Sequence, residues 1–559
     1  MEIVLLFILI IVPLASYYVN NIYCNFAEEL LWGLFFVITV FKIVRSHNIH
    51  FKIVDIFYVI FIIIVITYHL NYEIAEASIY KDLIYILTLW FISHQSVVRN
   101  KRLIHVLIVA GCIHCLLSFE LFEVAVSVPM RGIMGNSGIW GIYIAMLLPL
   151  SFGEFLFSGN RYYKFIFLVI SLLFLIVIFW SQSRSAFIAG ILSCLYLVIK
   201  CKPYLKLFIH KVYIQMIVVI ACVLLGILLY RIRSDSIKGR LFVYTTTVNM
   251  ISEKPILGCG YNGFKLSYLD YQARYFQNHP NSIFEKYADN TEVCFNEFLQ
   301  ITAEYGIVGL FLVMSLLLLI FYLLEAKIND NTFCILKGGL LSLIVVSLFS
   351  YPLRREGTLL VAIVLVGSLL TYTEEYILRR YKMIMSIYVF ASLFFYMNYC
   401  RYMINQKKGY TLWEKARGQN DEMEKQLMTY REASKYLGAN MSFLCDYSAV
   451  LYEKNSYKDA AYALNQLLTF KNKYDVYIVL GDCYEKMMNA KMAEFCYKQA
   501  HYMIPNRFIP LYKLMLLYKQ TSQNVKLQEV AMEICEKNIK IPSYTIEKIK
   551  TEACGILKE

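Results

Sequence analysis

The sequence predicts an all-α fold: a polytopic membrane helical bundle of about twelve or thirteen spans, a large extracytoplasmic loop and a C-terminal helical-repeat domain. Three observations carry this. Apolar runs of about 17 to 21 residues recur through the first two-thirds of the chain, the length an α-helix needs to cross the hydrocarbon core. One long polar stretch, Arg231 to Leu310, interrupts them. From residue 407 onward Lys, Glu, Gln and Tyr rise and no run is long enough to span. Of the 559 residues, 59% are hydrophobic and 17% charged, which excludes an ordinary soluble protein. These shifts divide the chain into N-terminal membrane helices (1–230), the large loop (231–306), C-terminal membrane helices (307–400) and the repeat domain (407–559).

The first run, Ile3 to Val19, lacks the basic start of a secretory signal and is followed at once by further spans, so it reads as a retained anchor. The next spans are Ala27–Val44, Ile53–Leu70, Leu83–Val98, Leu103–Phe122, Gly138–Phe157, Phe165–Ser181, Ala186–Ile199 and Tyr213–Tyr230. After the loop come Ile307–Leu324, Phe333–Ser350, Thr358–Tyr372 and Met383–Tyr399. Few ionisable residues interrupt them.

Orientation follows from the loops. Those on one side carry Lys42, Arg45 and Lys52, then Arg99, Lys101 and Arg102, then Lys200, Lys202, Lys206 and Lys211, then Arg379, Arg380 and Lys382. The positive-inside rule makes this side cytoplasmic and puts the large loop and the C-terminal domain outside. Topology therefore accounts for much of the net charge of +13, and nucleic acid is not the expected partner. On the outer side the short loops hold Lys81, Arg131, Arg184, Arg354 and Arg355. Each arginine there runs against the local bias. A span-end residue that snorkels explains one of them; several on one face point to an anionic ligand.

In the C-terminal part, Leu480, Gly481, Tyr484, Ala493, Tyr497, Ala500 and Pro505 fit a tetratricopeptide template of ~34 residues. Tyr452-Glu453-Lys454 and Tyr484-Glu485-Lys486 read as the same turn in successive copies. The expectations for this domain are a docking surface for a protein partner or a structural cap on the membrane domain. The cysteines are scattered and suggest no disulfide framework, no zinc spacing is present, and no phosphate-binding Gly-rich loop is found.

Four stretches at the outer ends of spans carry a family resemblance. They are Arg131-Gly132-Ile133-Met134-Gly135-Asn136, Ser181-Gln182-Ser183-Arg184-Ser185, Gly239-Arg240-Leu241 with Pro255, Gly258, Gly260 and Phe264, and Asn296-Glu297-Phe298-Leu299-Gln300 with Glu304, Gly306 and Gly309. Their order and spacing over residues 100–380 resemble the O-antigen ligase and polymerase family of membrane glycosyltransferases. The resemblance implies transfer of a glycan from an undecaprenyl-diphosphate-linked donor at the outer face of the bacterial inner membrane, inverting and without metal or other cofactor. Lipid A core, another glycan or a protein is the implied acceptor. In place of the family's histidine before Asn296, this chain has Phe295.

The chemistry can be argued beside the resemblance. Breaking the sugar–phosphate bond develops negative charge on the diphosphate, and the outer loops show no Asp-x-Asp cluster to hold a metal. Guanidinium groups, permanently charged and forked, match phosphate oxygens. Two charge-assisted bonds that strengthen in the transition state give roughly 10²–10⁴-fold. Arg184 and Arg240 are the expected catalytic cations, with Arg240 at the start of a short helix over Leu241–Glu253. Candidates for the base are Glu297 first, then Glu304, Asp289 and His279. The alternative for Glu297 is a cap or charge at a helix N-terminus. Arg131, Asn136, Asn296, Arg354, Arg355 and His279 are expected to bind substrate, with helix capping the alternative for Asn296. Tyr261, Phe264, Tyr271 and Tyr275 are candidates to stack on sugar rings, with an interfacial aromatic belt the alternative. Two readings of other classes stand beside transfer, a transporter of lipid-linked glycan and a membrane-anchored repeat scaffold.

Overall fold

The computed structural model describes residues 2–17, 51–52, 54–62, 76–120, 129–201, 234–324, 328, 330–376, 381–419 and 423–558. The predicted spans Ala27–Val44 and Tyr213–Tyr230 lie outside the described residues, as do Lys42, Arg45, Lys202, Lys206, Lys211, Arg379 and Arg380.

The architecture is helical, as predicted. The membrane part holds α1 (Glu2–Tyr17), α2 (Glu76–Ser93), α3 (Asn100–Glu120), α4 (Ser137–Phe157), α5 (Arg161–Ser181) and α6 (Arg184–Cys201). The large loop contributes α7 (Ser234–Glu253) and α8 (Gly263–Asn278), and the chain returns through α9 (Glu297–Leu318), α10 (Asn331–Ser347) and α11 (Glu356–Leu370). Among the described residues five helices are long and apolar enough to cross a membrane. Helix α4 is the hub, packed against α3, α5, α6, α10 and α11. The outward sides of α5 and α9 expose Phe165, Phe179 and Phe311.

The two ends of this bundle are built differently. At one end Lys52 is buried, donating from Nζ to the carbonyls of Ser93 (2.9 Å) and Thr371 (3.1 Å), while Asp55 accepts from the Lys52 amide and from Trp90 Nε1. Lys52, counted from sequence among the basic loop residues, satisfies the orphan carbonyls at two helix ends. Asn100 Nδ2 does the same for Ser368. The opposite end carries the motif turns. Between them, Lys337 is 1% exposed and sits 4.6 Å from the Phe321 ring, beside a π-helical turn over Leu319–Leu324. A lysine in that setting is costly and passes unnoticed in a hydropathy scan.

Helix α12 (Tyr381–Arg417) contains the last predicted span and runs without a break into the C-terminal domain. There Trp413 Nε1, Arg417 Nε and Tyr430 OH all donate to Asp446, which ties α12 to the next helices, α13 (Met423–Leu437) and α14 (Met441–Glu453). Helices α15 (Tyr457–Phe470), α16 (Tyr474–Lys486), α17 (Ala490–Met503), α18 (Ile509–Gln520), α19 (Asn524–Glu536) and α20 (Tyr544–Ile556) follow as antiparallel neighbours. A left-handed residue ends α14, α16 and α18, at Asn455, Met488 and Ser522, spaced 33 and 34 residues apart. The same pair of carbonyl-satisfying turn bonds recurs at all three, Ser456 N to Leu451 O, Asn489 N to Tyr484 O and Gln523 N to Tyr518 O being one of each pair. Tyr497 packs flat against Gly481, where any Cβ would collide with its ring. A disulfide joins Cys535 to Cys554, across α19 and α20.

The C-terminal helices do not stand apart. Phe242, Phe264, Tyr268, Tyr271 and Phe276 of the loop share one core with Tyr497, Met503, Ile504 and Phe508. Polar bonds fix the seam: Gln272 Nε2 donates to Met503 O, and the Asn506 amide donates to both Glu285 O and Ala288 O at 2.8 Å. Tyr261 also meets α2, at Asp82. Phe264 and Tyr271 are therefore core residues rather than sugar platforms, and Tyr275 lies in an aromatic cluster with Phe242 and Phe284.

Candidate functional site

The site grows from a break in α9. Gly306 has φ +64 and ψ −165 inside the helix, so it interrupts the ladder between Glu297–Tyr305 and the apolar run that follows. The freed groups are taken up by the segment Pro255–Gly260. Cys259 N donates to Ala303 O and Gly260 N to Glu304 O, both at 2.8 Å, and Ile307 N donates to Pro255 O at 2.9 Å. Neither glycine tolerates a side chain: a Cβ on Gly306 would overlap the Ile256 carbonyl, and one on Gly258 would overlap Glu304. Two motifs about 45 residues apart in sequence are thus the two halves of one backbone clamp.

The clamp holds the N-terminal part of α9, whose face carries Glu297 and Glu304, one above the other. Both are buried, at 1% and 0% exposure. Arg354, on the short turn Pro352–Arg354 between α10 and α11, lies between them, with Nε 3.3 Å from Glu297 Oε2 and Nη1 2.8 Å from Glu304 Oε2. The second contact is an ion pair by distance rather than an aligned hydrogen bond. Glu297 Oε1 accepts from Leu353 N at 2.7 Å, and Glu304 Oε1 from Gln300 Nε2 at 3.2 Å. Gln300 Oε1 in turn accepts from Cys294 N. Two carboxylates face one guanidinium; Glu297, in the first turn of α9, has the positive end of the helix dipole to offset the excess. Both Glu297 oxygens already receive protein donors, an arrangement that suits a positioning carboxylate rather than a base reaching for an acceptor.

Arg240 approaches the same stretch from the other side. It lies in the second turn of α7, not at a helix start, because the helix extends back to Ser234. Its Nη1 donates to Phe349 O at 2.8 Å, and its guanidinium lies 5.2 Å from the centroid of the Phe295 ring. Phe295, left-handed at φ +58, packs edge-on to Tyr351, over which Arg355 also lies, at 5.8 Å. The aromatic residue standing where a histidine is expected is thus a platform for a cation. Tyr244 OH donates to Phe295 O and holds that turn to α7.

The remaining motif turns close the same end of the bundle. Met130 N donates to Trp180 O, joining the Arg131 stretch to the end of α5. Gly141 of α4 lies directly against Ser181 and Ser183, and Gly357 of α11 directly against Met134. Arg184 is the first residue of α6, half-buried, and Arg131 is exposed. Asn136 and Asn296 are both N-caps, their side chains accepting from Ile139 N and Leu299 N. As caps they stabilise α4 and α9, and their side-chain oxygens are occupied. His279 is not brought to this site: it ends α8, stacked on Tyr275 at 4.5 Å, with Nδ1 2.9 Å from Tyr275 O. Among the described residues, no three His, Cys, Asp or Glu side chains gather as metal ligands would.

The Glu304–Arg354 pair and the Phe349 carbonyl were not paired from sequence. The only available signal was that Arg354 runs against the charge bias read from the loops.

Residues 166–314 match the family described as O-Antigen ligase. The matched stretch includes Arg184, Arg240, Glu297, Glu304 and the two-part glycine clamp; Arg131, Asn136, Arg354 and Arg355 lie outside it. No curated protein matches the chain. Among solved structures, the crystal structure of MamA protein is similar over 28% of this chain and 88% of that chain, at 16% identity and a TM-score of 0.22.

Proposed function

We propose that this membrane protein, whose residues 166–314 match the O-antigen ligase family, transfers a glycan from an undecaprenyl-diphosphate carrier to an acceptor hydroxyl at the outer face of the inner membrane. The observation that carries the reading is Arg240, held between a carbonyl and an aromatic ring with no carboxylate in ion-pair contact among the described residues, inside that domain. The lipid keeps the diphosphate at the bilayer surface, where the motif turns lie.

In the step we infer, the acceptor oxygen bonds to the anomeric carbon as the bond from that carbon to the diphosphate breaks. The electron pair goes to the phosphate oxygen and the hydroxyl proton to the departing diphosphate or to water. Arg184 and Arg240 meet the developing charge; Arg131 and Arg355 extend the cationic rim. Displacement of this kind inverts the anomeric centre and needs no metal. Glu297 and Arg354 position the rim, and Asn136 and Asn296 cap its helices. With Phe295 in place of the family histidine, leaving-group stabilisation carries more of the barrier.

The basic residues Arg99, Lys101, Arg102 and Lys200 at the opposite end favour a cytoplasmic location for that end. The Cys535–Cys554 disulfide suits a C-terminal domain in the oxidising periplasm. The repeat helices serve first as a cap on the loop. Polymerisation of glycan repeats is the second form of the same chemistry, distinguished by the acceptor.

Purified protein supplied with lipid-linked donor and candidate acceptors tests this. Transfer should survive EDTA and be lost in Arg184→Ala and Arg240→Ala. Strict metal dependence overturns the arginine mechanism; movement of the donor across a bilayer without transfer identifies a transporter, and neither activity a scaffold.

A further inference from the structure

A second concentration of charge lies where the loop meets the C-terminal helices. Glu292, on the approach to Asn296, is in ion-pair contact with Lys471 Nζ at 2.5 Å. Lys265 and Lys473 lie within electrostatic range of the same carboxylate. Three ammonium groups therefore gather around one carboxylate, and among the described residues neither Lys265 nor Lys473 has a carboxylate at ion-pair distance. The neighbouring Arg507 does not change this balance, because it faces Asp289.

The fold fixes this gathering. Lys265 stands in the first turn of α8, directly after buried Phe264. Lys471 and Lys473 flank the buried Asn472 in the turn between α15 and α16, and Tyr474 anchors that turn in the shared core. Like charges held this way repel. Burial, and then the charge of Lys471, push the Lys265 ammonium below the ordinary lysine range. Burial opposes ionisation of Glu292, but the three lysines outweigh it and hold the carboxyl below its usual range. Asp270, the other carboxylate at this turn, is taken up by Asn472 and Gln499 rather than by a lysine, so Glu292 alone pairs with the cluster and an added anion would relieve the repulsion.

We propose that Lys265, Lys471 and Lys473 form a subsite for an anionic group, a phosphate or a carboxylate, borne by a sugar of the glycan being joined. This rests on the reading that a glycan is the substrate. Ammonium groups act as compact point charges that suit an oxyanion without demanding one orientation. The position fits a part of the substrate remote from the reacting bond. Glu292 lies five residues before Glu297, and Lys265 five residues after Gly260, whose amide binds Glu304 O. Both flanks of the subsite thus lead along the chain into the clasp around Arg354.

The test is thermal unfolding of the purified full-length protein in detergent, at matched ionic strength, titrated with glucose 6-phosphate, glucuronate, inorganic phosphate and glucose. Glucose 6-phosphate or glucuronate should raise Tm more than equal inorganic phosphate does, and glucose should not raise it. In Lys265→Gln/Lys473→Gln the half-saturating concentration should rise by about tenfold or more, the loss of charge-assisted bonds. Glu292→Gln, which removes the competing carboxylate, should lower it. An equal response to inorganic phosphate overturns the assignment to a glycan-borne group. No response, a response unchanged in the lysine variant, or weaker binding in Glu292→Gln overturns the site. The assay uses neither donor nor transfer, so its failure leaves the transferase reading standing, and failure of transfer leaves this result readable.

Discussion

The clasp around Arg354 and the rim around Arg240 lie on either side of residues 349–355 and use the same functional group in opposite ways. Arg354 is spent on the protein: Glu297 and Glu304 take its charge, and the backbone clamp of Pro255–Gly260 on broken α9 keeps both carboxylates in place. Arg240 is held by one carbonyl and the face of Phe295, which orient the guanidinium without neutralising it. An arginine at the motif end is therefore not by itself a ligand for an anion. Whether a carboxylate already owns it separates framework from function.

The sharpest way to break the comparison is to open the clamp. Gly306→Ala puts a Cβ against the Ile256 carbonyl at a positive φ, and we expect a loss of about 4 kcal/mol or more, seen as a lowered Tm and rapid proteolysis near residues 255–260. Gly159→Ala, with open space around its Cβ, should leave both unchanged. Arg354→Ala comes next. It strands two buried carboxylates, a cost of about 3–5 kcal/mol. Arg354→Met combined with Glu297→Gln and Glu304→Gln should recover most of the Tm, because no buried charge is then unpaired. If Arg354→Ala keeps its Tm and loses only transfer, the division between framework and rim fails.

A smaller effect reports on the seam. Asn506→Ala removes two donors from Glu285 O and Ala288 O, costing about 1–2 kcal/mol and loosening the turn that leads to Asn296. Hydrogen exchange across residues 285–296 measures this directly. Smallest are the caps: Asn136→Ala and Asn296→Ala should each cost about 1 kcal/mol and leave the affinity for diphosphate unchanged, which separates capping from ligand binding.

Hydropathy made the bundle legible, because it depends on composition over whole segments. Boundaries were less so. The span placed at Leu83–Val98 is in fact α2, Glu76–Ser93, since Ser93, His94 and Asn100 close a polar network at that end. Helix α9 begins ten residues before the predicted Ile307, and that predicted start coincides with the break after Gly306. The glycine motifs were visible as glycines, but their purpose was not, since the Gly258 and Gly306 stretches meet only in the folded chain. Glu297 was placed at a helix start from its position, whereas its pairing with Arg354 depends on a turn 57 residues later. Tyr452 and Tyr484 suggested a repeat, and the structure places left-handed turns at Asn455, Met488 and Ser522; that these helices share a core with the loop required the fold.

The central claim concerns which cations hold the carrier's diphosphate, and direct binding tests it. The affinity of the purified protein for undecaprenyl diphosphate should fall by about 10- to 150-fold in Arg184→Ala and in Arg240→Ala, with Tm unchanged and with EDTA present throughout. Undiminished affinity in both variants, or binding that EDTA abolishes, would contradict the account.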